Sequence, residues 1–195
     1  MNAGDAPPAG RIVLTGFMCA GKTTIARALA ARLGGEMLDT DAALSAREGR
    51  SIEAIIEEDG EPRFRQLEQD ALRAVLECDG GARIIALGGG AWTLKENRAL
   101  IDAHRCLTVW LDAPFELCWQ RIRRSPEARP LARDRERARE LYDARRALYA
   151  LSTLRIEITE ARSAEDAAAE IASIIERRNF SDEHEGREEE NTHDG

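Results

Sequence analysis

GFMCAGKT, at residues 16–23, follows an apolar run at Ile12–Thr15 and overlaps the start of a helical pattern at Thr23–Leu33. The stretch fits G-x-x-x-x-G-K-[ST], a pattern whose required context is a strand before it and a helix after it. The glycines let the backbone curl so that successive N–H groups point at one ligand, beside the positive end of the helix dipole. A phosphate-binding loop is therefore predicted. The alternative, a glycine-rich turn without a ligand, is disfavoured by motif and context together.

This loop predicts a site for ATP and Mg²⁺. Lys22 is expected to reach the β- and γ-phosphates as a catalytic residue, and Thr23 to ligate Mg²⁺. The residues expected to bind the nucleotide here are Gly16, Cys19, Ala20, Gly21, Lys22, Thr23 and Thr24. The motif specifies a nucleotide but no reaction, so the phosphoryl acceptor has to be inferred from other parts of the chain.

Apolar periodicity along the rest of the chain predicts an α/β fold. Strands are predicted at Ile12–Thr15, Met37–Leu38, Arg83–Leu87, Leu107–Leu111 and Leu154–Ile158. Helices are predicted at 23–33, 42–48, 51–58, 62–77, 96–103, 114–123, 135–150 and 164–177. Such alternation is typical of a parallel sheet with helices on both faces.

Length and composition bound the folded part of the chain. Its 195 residues suffice for one α/β domain, which we place at 11–178. The Pro/Gly/Ala-rich segment 1–10 and the acidic tail 179–195 are too polar to bury, so both are expected to be disordered.

A basic stretch at Arg121–Arg139 contains Ser125, Pro126 and Pro130, which break helices. It is expected to form a mobile loop at about 123–136, flanked by helices. A basic mobile loop over a phosphate site would act as a lid.

Charge, cysteines and hydropathy argue against several kinds of partner. Seven acids after Asn179 against one arginine give the tail −6 of the net −8, leaving about −2 for the folded part, so no nucleic-acid partner is expected. The four cysteines lack C-x-x-C spacing, so no zinc is expected. No apolar run is long enough to span a bilayer and the start lacks a signal-peptide pattern, which predicts a cytoplasmic protein without a membrane partner.

Two acidic residues on alternate positions follow the second predicted strand. Asp39 and Asp41 lie at its C-terminal end, where open parallel sheets bind ligands. Asp39 is expected to hold the water shell of the metal, and Asp41 to orient a substrate hydroxyl and accept its proton. The alternative for such a residue is the N-cap of the following helix.

Charged residues lie on the apolar faces of two predicted helices. Glu68 falls inside the stripe of helix 62–77 and Arg65 at its edge, where unpaired charges are costly. Arg65 could hold a substrate carboxylate and Glu68 a hydroxyl, or the two could simply pair with each other. Arg145 lies on the stripe of helix 135–150, where it could bind a carboxylate in a bidentate manner or extend its charge to solvent.

The triplet Gly88, Gly89 and Gly90 follows the third predicted strand. Glycines there permit close approach of the backbone to a ligand, although a flexible loop is the alternative. Its place across the strand ends from the phosphate loop favours the binding role. Trp92, just beyond the triplet, is bulky enough to narrow an acceptor pocket.

In their order and spacing these residues resemble the shikimate kinase family, from about Arg11 to Ile175. The matching stretches are Gly16–Thr23, Leu38-Asp39-Thr40-Asp41, Gly49-Arg50-Ser51-Ile52, Gly60-Glu61, Phe64-Arg65 with Glu68, Gly88–Gly90, Val109-Trp110-Leu111 and Arg129-Pro130-Leu131. The resemblance implies a three-layer P-loop fold like that of nucleoside monophosphate kinases, with a five-stranded parallel sheet flanked by helices and a mobile lid.

The resemblance also implies roles for individual residues. Asp41, Arg65, Glu68, Gly88, Gly89, Gly90 and Arg145 would form the shikimate site, with Arg65 and Arg145 on the substrate carboxylate. Arg129 in the lid would be a catalytic and nucleotide-binding residue that touches the transferring phosphate, and Arg121 would lie near the adenine. Departures from the family pattern are Cys19 for a glycine, Ala132 for a leucine and Ala147 for a proline.

The function implied is transfer of the γ-phosphoryl group of ATP to the 3-hydroxyl of shikimate, giving 3-phosphoshikimate and ADP for aromatic amino acid biosynthesis. The enzyme is expected to act as a monomer. One alternative is a P-loop kinase of another small hydroxy acid, such as gluconate or a shikimate analogue. Another is a catalytically silent nucleotide-binding regulator, against which the presence of Lys22, Thr23, Asp41 and Arg129 argues.

Overall fold

The computed structural model describes residues 10–78, 80–124 and 134–190. Arg129, most of the expected lid at about 123–136 and nearly all of the expected N-terminal segment 1–10 lie outside the described residues.

The described chain alternates strands and helices, as predicted. Strands are β1 Ile12–Thr15, β2 Met37–Asp39, β3 Ile84–Ala86, β4 Leu107–Asp112 and β5 Leu154–Glu157. Helices are α1 Lys22–Leu33, α2 Thr40–Glu48, α3 Ile52–Asp59, α4 Glu61–Glu77, α5 Lys95–Ala103, α6 Phe115–Arg124, α7 Arg135–Tyr149 and α8 Ala164–Glu190, with a 3₁₀ turn at Ala91–Thr93. Apart from the end of α8, each bound lies within two residues of its predicted position.

The five strands form one parallel sheet in the order β2-β3-β1-β4-β5, flanked by helices. Strand β1 is central: Val13 is in register with Ile85 of β3 and with Thr108 of β4. The strand order therefore reverses on either side of β1, and ligands of such sheets bind in the crevice at this point. The loop after β1, Gly16–Thr23, lies at that crevice, and we call it the phosphate loop.

Two apolar clusters hold the domain together. The larger one joins the sheet to its helices and includes Val13, Leu14 and Ile85, which are fully buried. The smaller one lies among α2, α3 and α4 and contains Leu44, Ile55, Phe64, Leu67 and Ala71. These three helices thus have a core of their own beside the sheet.

Helix α8 is longer than predicted. It begins at Ala164 as expected but continues to Glu190, so the segment expected to be disordered from 179 is helical over most of its length. The stretch from 179 to 190 contains no proline and is rich in glutamate, a good helix former. Extending an existing helix avoids the cost of nucleating a new one. Across the part of the chain described, no helix is both long and apolar enough to cross a bilayer.

Candidate active site

A cavity of about 1120 Å³ opens at the carboxyl ends of the strands. Its wall is built from the phosphate loop, the end of β2, the segment after β5, the helices α2 to α4, two glycines of the triplet Gly88–Gly90 (Gly89 and Gly90) and single residues of α6 and α7. We call the triplet the glycine loop. One continuous cavity therefore joins the predicted nucleotide and acceptor sites.

The phosphate loop has the backbone conformation that a cradle of N–H groups requires. Gly16 and Gly21 have φ values of 139° and 104°. A side chain at Gly16 would also lie 2.7 Å from the carbonyl oxygen of Leu111. Cys19, which stands where the family has a glycine, adopts φ 59°, a conformation that costs a non-glycine residue about 1–2 kcal/mol. The loop is held in this shape at some cost, as is common at ligand sites.

Lys22 folds back over the phosphate loop. Its Nζ donates hydrogen bonds to the carbonyl oxygens of Gly16 and Phe17, both at 3.0 Å. Burial lowers the pKa of Lys22, while the nearby carboxylates of Asp41 and Asp39 oppose that shift. The ammonium is thus restrained at the centre of the loop, where phosphates would bind.

Asp39 is the N-cap of α2, the alternative considered for it in the sequence, and it also contacts Thr23 of the phosphate loop. Its Oδ1 accepts hydrogen bonds from the backbone N–H groups of Asp41 and Ala42, at 3.0 and 3.2 Å, and so caps α2. Its Oδ2 accepts the hydroxyl of Thr23 at 2.6 Å. A hydroxyl and a carboxylate therefore lie together beside the phosphate loop.

This pair fits a Mg²⁺ ion bound chiefly through water and phosphate oxygens, since such an ion needs only one or two protein groups. Nowhere in the described residues do three or more His, Cys, Asp or Glu side chains group as a metal-binding cluster. The hydroxyl of Thr23 and the carboxylate of Asp39 would therefore be the protein donors to Mg²⁺.

The glycine loop is in close contact with charged side chains. An added Cβ at Gly88 would lie 2.8 Å from Glu68 Oε1 and closer still to Asp41 Oδ1. At Gly90 it would lie 2.5 Å from Arg65 Nη1. The N–H of Gly88 donates to the buried hydroxyl of Thr40 at 2.9 Å, which anchors the loop to α2. A side chain at 88 or 90 would therefore displace the carboxylates of Asp41 and Glu68 or the guanidinium of Arg65.

Arg65 and Glu68 form the ion pair considered as an alternative, and both also line the cavity. Arg65 donates to Glu68 Oε2 at 2.8 Å and to Glu61 Oε1 at 3.0 Å. Glu68 is only 2% exposed, and its Oε1 has no hydrogen-bond partner among the described residues. Burial raises the pKa of Glu68, although the positive charges of Arg65 and Arg145 oppose this. An unpaired buried oxygen at a cavity wall suits a ligand hydroxyl.

Arg145 faces inward, as its place in the helical pattern predicted. It is 8% exposed, lines the cavity, and donates from Nη1 to the carbonyl oxygen of Gly89 at 3.2 Å. The alternative of a charge extended to solvent is wrong. Two guanidinium groups, of Arg65 and Arg145, therefore line the same cavity with Glu68 and Asp41.

Hydrogen bonds to the backbone place the side chains of Arg121 and Trp92. Arg121 donates from Nη1 to the carbonyl oxygen of Cys19 at 3.1 Å, so α6 contacts the phosphate loop. Trp92 is buried and donates from Nε1 to Leu148 at 2.8 Å. Its side chain packs toward α7 and is not part of the cavity wall. The expectation that Trp92 narrows the acceptor pocket is wrong.

Some residues of the cavity wall were missed in the sequence. Ile158, Arg162 and Ser163 come from the segment between β5 and α8, and Ile56 and Glu53 from α3. The first three could have been found, because they follow a predicted strand at the same edge of the sheet as the other site loops. Nothing in the pattern of α3 distinguishes the side facing the cavity.

A phosphate loop with its lysine, a hydroxyl and carboxylate for Mg²⁺, and a charged pocket in the same cavity define a class of protein. They are the parts of a P-loop kinase that phosphorylates a small molecule. The comparisons with known proteins narrow the class to one family.

The sequence model of shikimate kinase matches residues 18–176. A shikimate kinase from Geobacter sulfurreducens is 41% identical over 173 residues, covering 87% of this chain and 93% of that protein. Another, from Salinibacter ruber, is 44% identical over 124 residues, which are 64% of this chain but only 59% of that protein. The solved structure of shikimate kinase from Acinetobacter baumannii in complex with shikimate superposes with a TM-score of 0.80 at 35% identity, covering 87% and 94% of the two chains. The chain belongs to the shikimate kinase family.

Proposed function

We propose that this chain transfers the γ-phosphoryl group of ATP to the 3-hydroxyl of shikimate, giving ADP and 3-phosphoshikimate for aromatic amino acid biosynthesis. The observation that carries the proposal is the single cavity in which the phosphate loop meets Asp41, Glu68, Arg65 and Arg145. Two cations and two carboxylates suit an acceptor that has one carboxylate and several hydroxyls. Family membership supports the same substrate.

The phosphate loop would hold the triphosphate of ATP. Backbone N–H groups of 16–23 would contact its oxygens, and Lys22 would contact the β- and γ-phosphates. Thr24, on the first turn of α1, would also contact the triphosphate. Arg121, bonded to the carbonyl of Cys19, would close the nucleotide side. Bound at Thr23 and Asp39, Mg²⁺ would neutralise charge on the β- and γ-phosphates.

The far end of the cavity would hold the acceptor. Arg65 is already oriented by Glu61 and Glu68, and Arg145 by the carbonyl of Gly89. Both would donate to the substrate carboxylate. The unpaired Oε1 of Glu68 would accept a ring hydroxyl. Because these side chains are already held in place without substrate, little conformational entropy would be lost when the substrate binds.

Asp41 would orient the attacking hydroxyl. It lies on the first turn of α2, whose N-terminus Asp39 caps, so the metal-side carboxylate and the acceptor-side carboxylate share one helix start. The hydroxyl proton would pass to Asp41 as the oxygen attacks the γ-phosphorus in line with the leaving ADP oxygen. Lys22 would stabilise the charge that spreads over the phosphoryl oxygens, and positioning would supply most of the remaining rate enhancement.

Four expectations from the sequence stay predictions. Arg129 would touch the transferring phosphate, and the lid would exclude water that could otherwise hydrolyse ATP. The enzyme would work in the cytoplasm, and it would do so as a monomer.

The test is release of ADP from Mg-ATP with shikimate, quinate or gluconate, each compared with a control without acceptor. Strong stimulation by shikimate alone is the expected result. Stimulation by gluconate instead would mean a different hydroxy-acid kinase, and tight ATP binding without turnover on any acid would mean a silent nucleotide binder. Lys22→Met should abolish turnover while the thermal unfolding midpoint stays near that of the wild type, which separates loss of chemistry from loss of fold.

A further inference from the structure

Three hydrogen bonds join the C-terminal end of α7 to the glycine loop and the 3₁₀ turn after it. Arg145 Nη1 and the hydroxyl of Tyr149 both donate to the carbonyl oxygen of Gly89, at 3.2 and 2.5 Å. Trp92 donates from its ring nitrogen to the carbonyl oxygen of Leu148 at 2.8 Å. The arginine proposed to hold the acceptor carboxylate is therefore attached to the glycine loop through a carbonyl that it shares with a tyrosine.

Tyr149 is one helical turn beyond Arg145, on the same face of α7. Its side chain is 2% exposed and stacks on Trp110, with ring centroids 6.4 Å apart. Gly89 and Arg145 line the cavity, but Tyr149 does not. The hydroxyl of Tyr149 thus reaches the site through the Gly89 carbonyl and through the Arg145 guanidinium beside it, not by lining the cavity itself.

Burial raises the pKa of Tyr149 to about 12, so the phenol is a neutral donor over the working range of the enzyme. A carbonyl oxygen has two acceptor positions, and here both are used. The shorter bond comes from Tyr149 and the longer from Arg145, so the tyrosine is the firmer of the two restraints on this peptide group.

We propose that Tyr149 is a positioning residue for the acceptor site: its hydroxyl fixes the Gly89 carbonyl, and that carbonyl holds the Arg145 guanidinium in place for the acceptor carboxylate. The inference rests on the proposed function, in which Arg145 binds that carboxylate. Without the hydroxyl, Arg145 is the only remaining donor to Gly89 among the described residues. The guanidinium would then be drawn toward the loop, and a peptide flanked by glycines would offer little resistance to turning.

The test compares Tyr149→Phe with a matched control, Tyr142→Phe. Tyr142 is also a buried residue of α7, 7% exposed, and its hydroxyl donates to the carbonyl oxygen of Ala113 at 3.0 Å, away from the glycine loop. Each variant removes one buried hydroxyl from the same helix. Kinetics are measured with shikimate and ATP varied separately, together with the thermal unfolding midpoint.

Loss of one hydrogen bond in this network should raise KM for shikimate about fivefold to tenfold in Tyr149→Phe. The kcat and the KM for ATP should stay within about twofold of the wild type, because the phosphate loop is not touched. Tyr142→Phe should leave KM for shikimate unchanged. In an Arg145→Ala background, Tyr149→Phe should have no further effect on KM, since the tyrosine acts through that arginine.

Three outcomes would overturn the inference alone, and the first two are an unchanged KM for shikimate in Tyr149→Phe and an effect that persists undiminished beside Arg145→Ala. An equal loss in both phenylalanine variants, following their unfolding midpoints, would likewise show a role in stability only. If shikimate, quinate and gluconate all fail to stimulate the wild type, the proposed function itself is overturned, and this inference with it.

Discussion

Gly88→Ala is the change whose effect the structure predicts most directly. The new Cβ would lie 2.8 Å from Glu68 Oε1, 3.1 Å from Asp41 Cγ and nearer still to Asp41 Oδ1, whereas ordinary contact begins at 3.4 Å. Asp41 cannot retreat by a small rotation of its carboxylate, because Cγ itself is too close. Both acceptor-site carboxylates must therefore move.

A displacement of about 1 Å at a reacting group can reduce the rate by about 10²-fold. We expect kcat/KM for shikimate to fall by that order in Gly88→Ala, equivalent to about 2.7 kcal/mol of transition-state stabilisation. The affinity for ATP should change little, because the affected side chains lie at the acceptor end of the cavity. Initial rates of ADP release give kcat/KM, and nucleotide binding is measured separately by calorimetry.

Gly89→Ala is the comparison, since an added Cβ there would lie 3.4 Å from its nearest neighbour, the backbone nitrogen of Met18. Its loss of kcat/KM should be many times smaller than that of Gly88→Ala. If Gly88→Ala keeps kcat/KM within about threefold of the wild type, or if the neighbouring variant is impaired equally, the proposed roles of Asp41 and Glu68 are refuted.

Three further predictions concern single side chains. Arg145→Ala should raise KM for shikimate by about 10²-fold, the loss of a charge-assisted pair, while KM for ATP stays constant; equal effects on both would contradict its role. Asp39→Asn should keep the α2 cap but raise the Mg²⁺ concentration needed for half-maximal rate, whereas Asp39→Ala should also cost about 1 kcal/mol of stability in a denaturant titration. The raised pKa of Glu68 means that the fold binds its proton more tightly than the unfolded chain does, so stability from this group is present at low pH and is lost as pH rises through the folded pKa. Glu68→Gln should therefore gain in unfolding midpoint relative to the wild type as pH rises above 4.5, the ordinary pKa of a glutamate, and a difference that narrows as pH rises would argue against the shift.

Much of the fold could be predicted because the pattern of apolar residues follows directly from burial. Strand β4 at Leu107–Asp112 is a nearly continuous apolar run, as expected for a strand covered on both faces. The inward direction of Arg145 and Glu68 followed from helical periodicity in the same way. Helix α8 was misjudged at its end, because a polar composition predicts exposure but not the absence of helix.

The contacts within the site could not be predicted to the same extent. The carbonyl of Gly89 accepts from Arg145 and Tyr149, residues far along the chain, and no local pattern reports such a pairing. The size of Trp92 suggested that it would narrow the acceptor pocket. Its effect depends instead on where the side chain points, and the hydrogen bond to Leu148 turns it toward α7. Asp39 shows that an N-cap does not use up a carboxylate, since its second oxygen bonds to Thr23 and the metal role stays a prediction.

That last arrangement links the two halves of the cavity. One oxygen of Asp39 holds Thr23 at the start of α1, and the other holds the N–H of Asp41 at the start of α2. A ligand that draws Asp39 toward the nucleotide therefore pulls on the backbone that carries the acceptor carboxylate. Binding free energies coupled in this way are reciprocal. If bound Mg-ATP changes the affinity for the acceptor acid by some factor, the bound acid changes the affinity for Mg-ATP by the same factor.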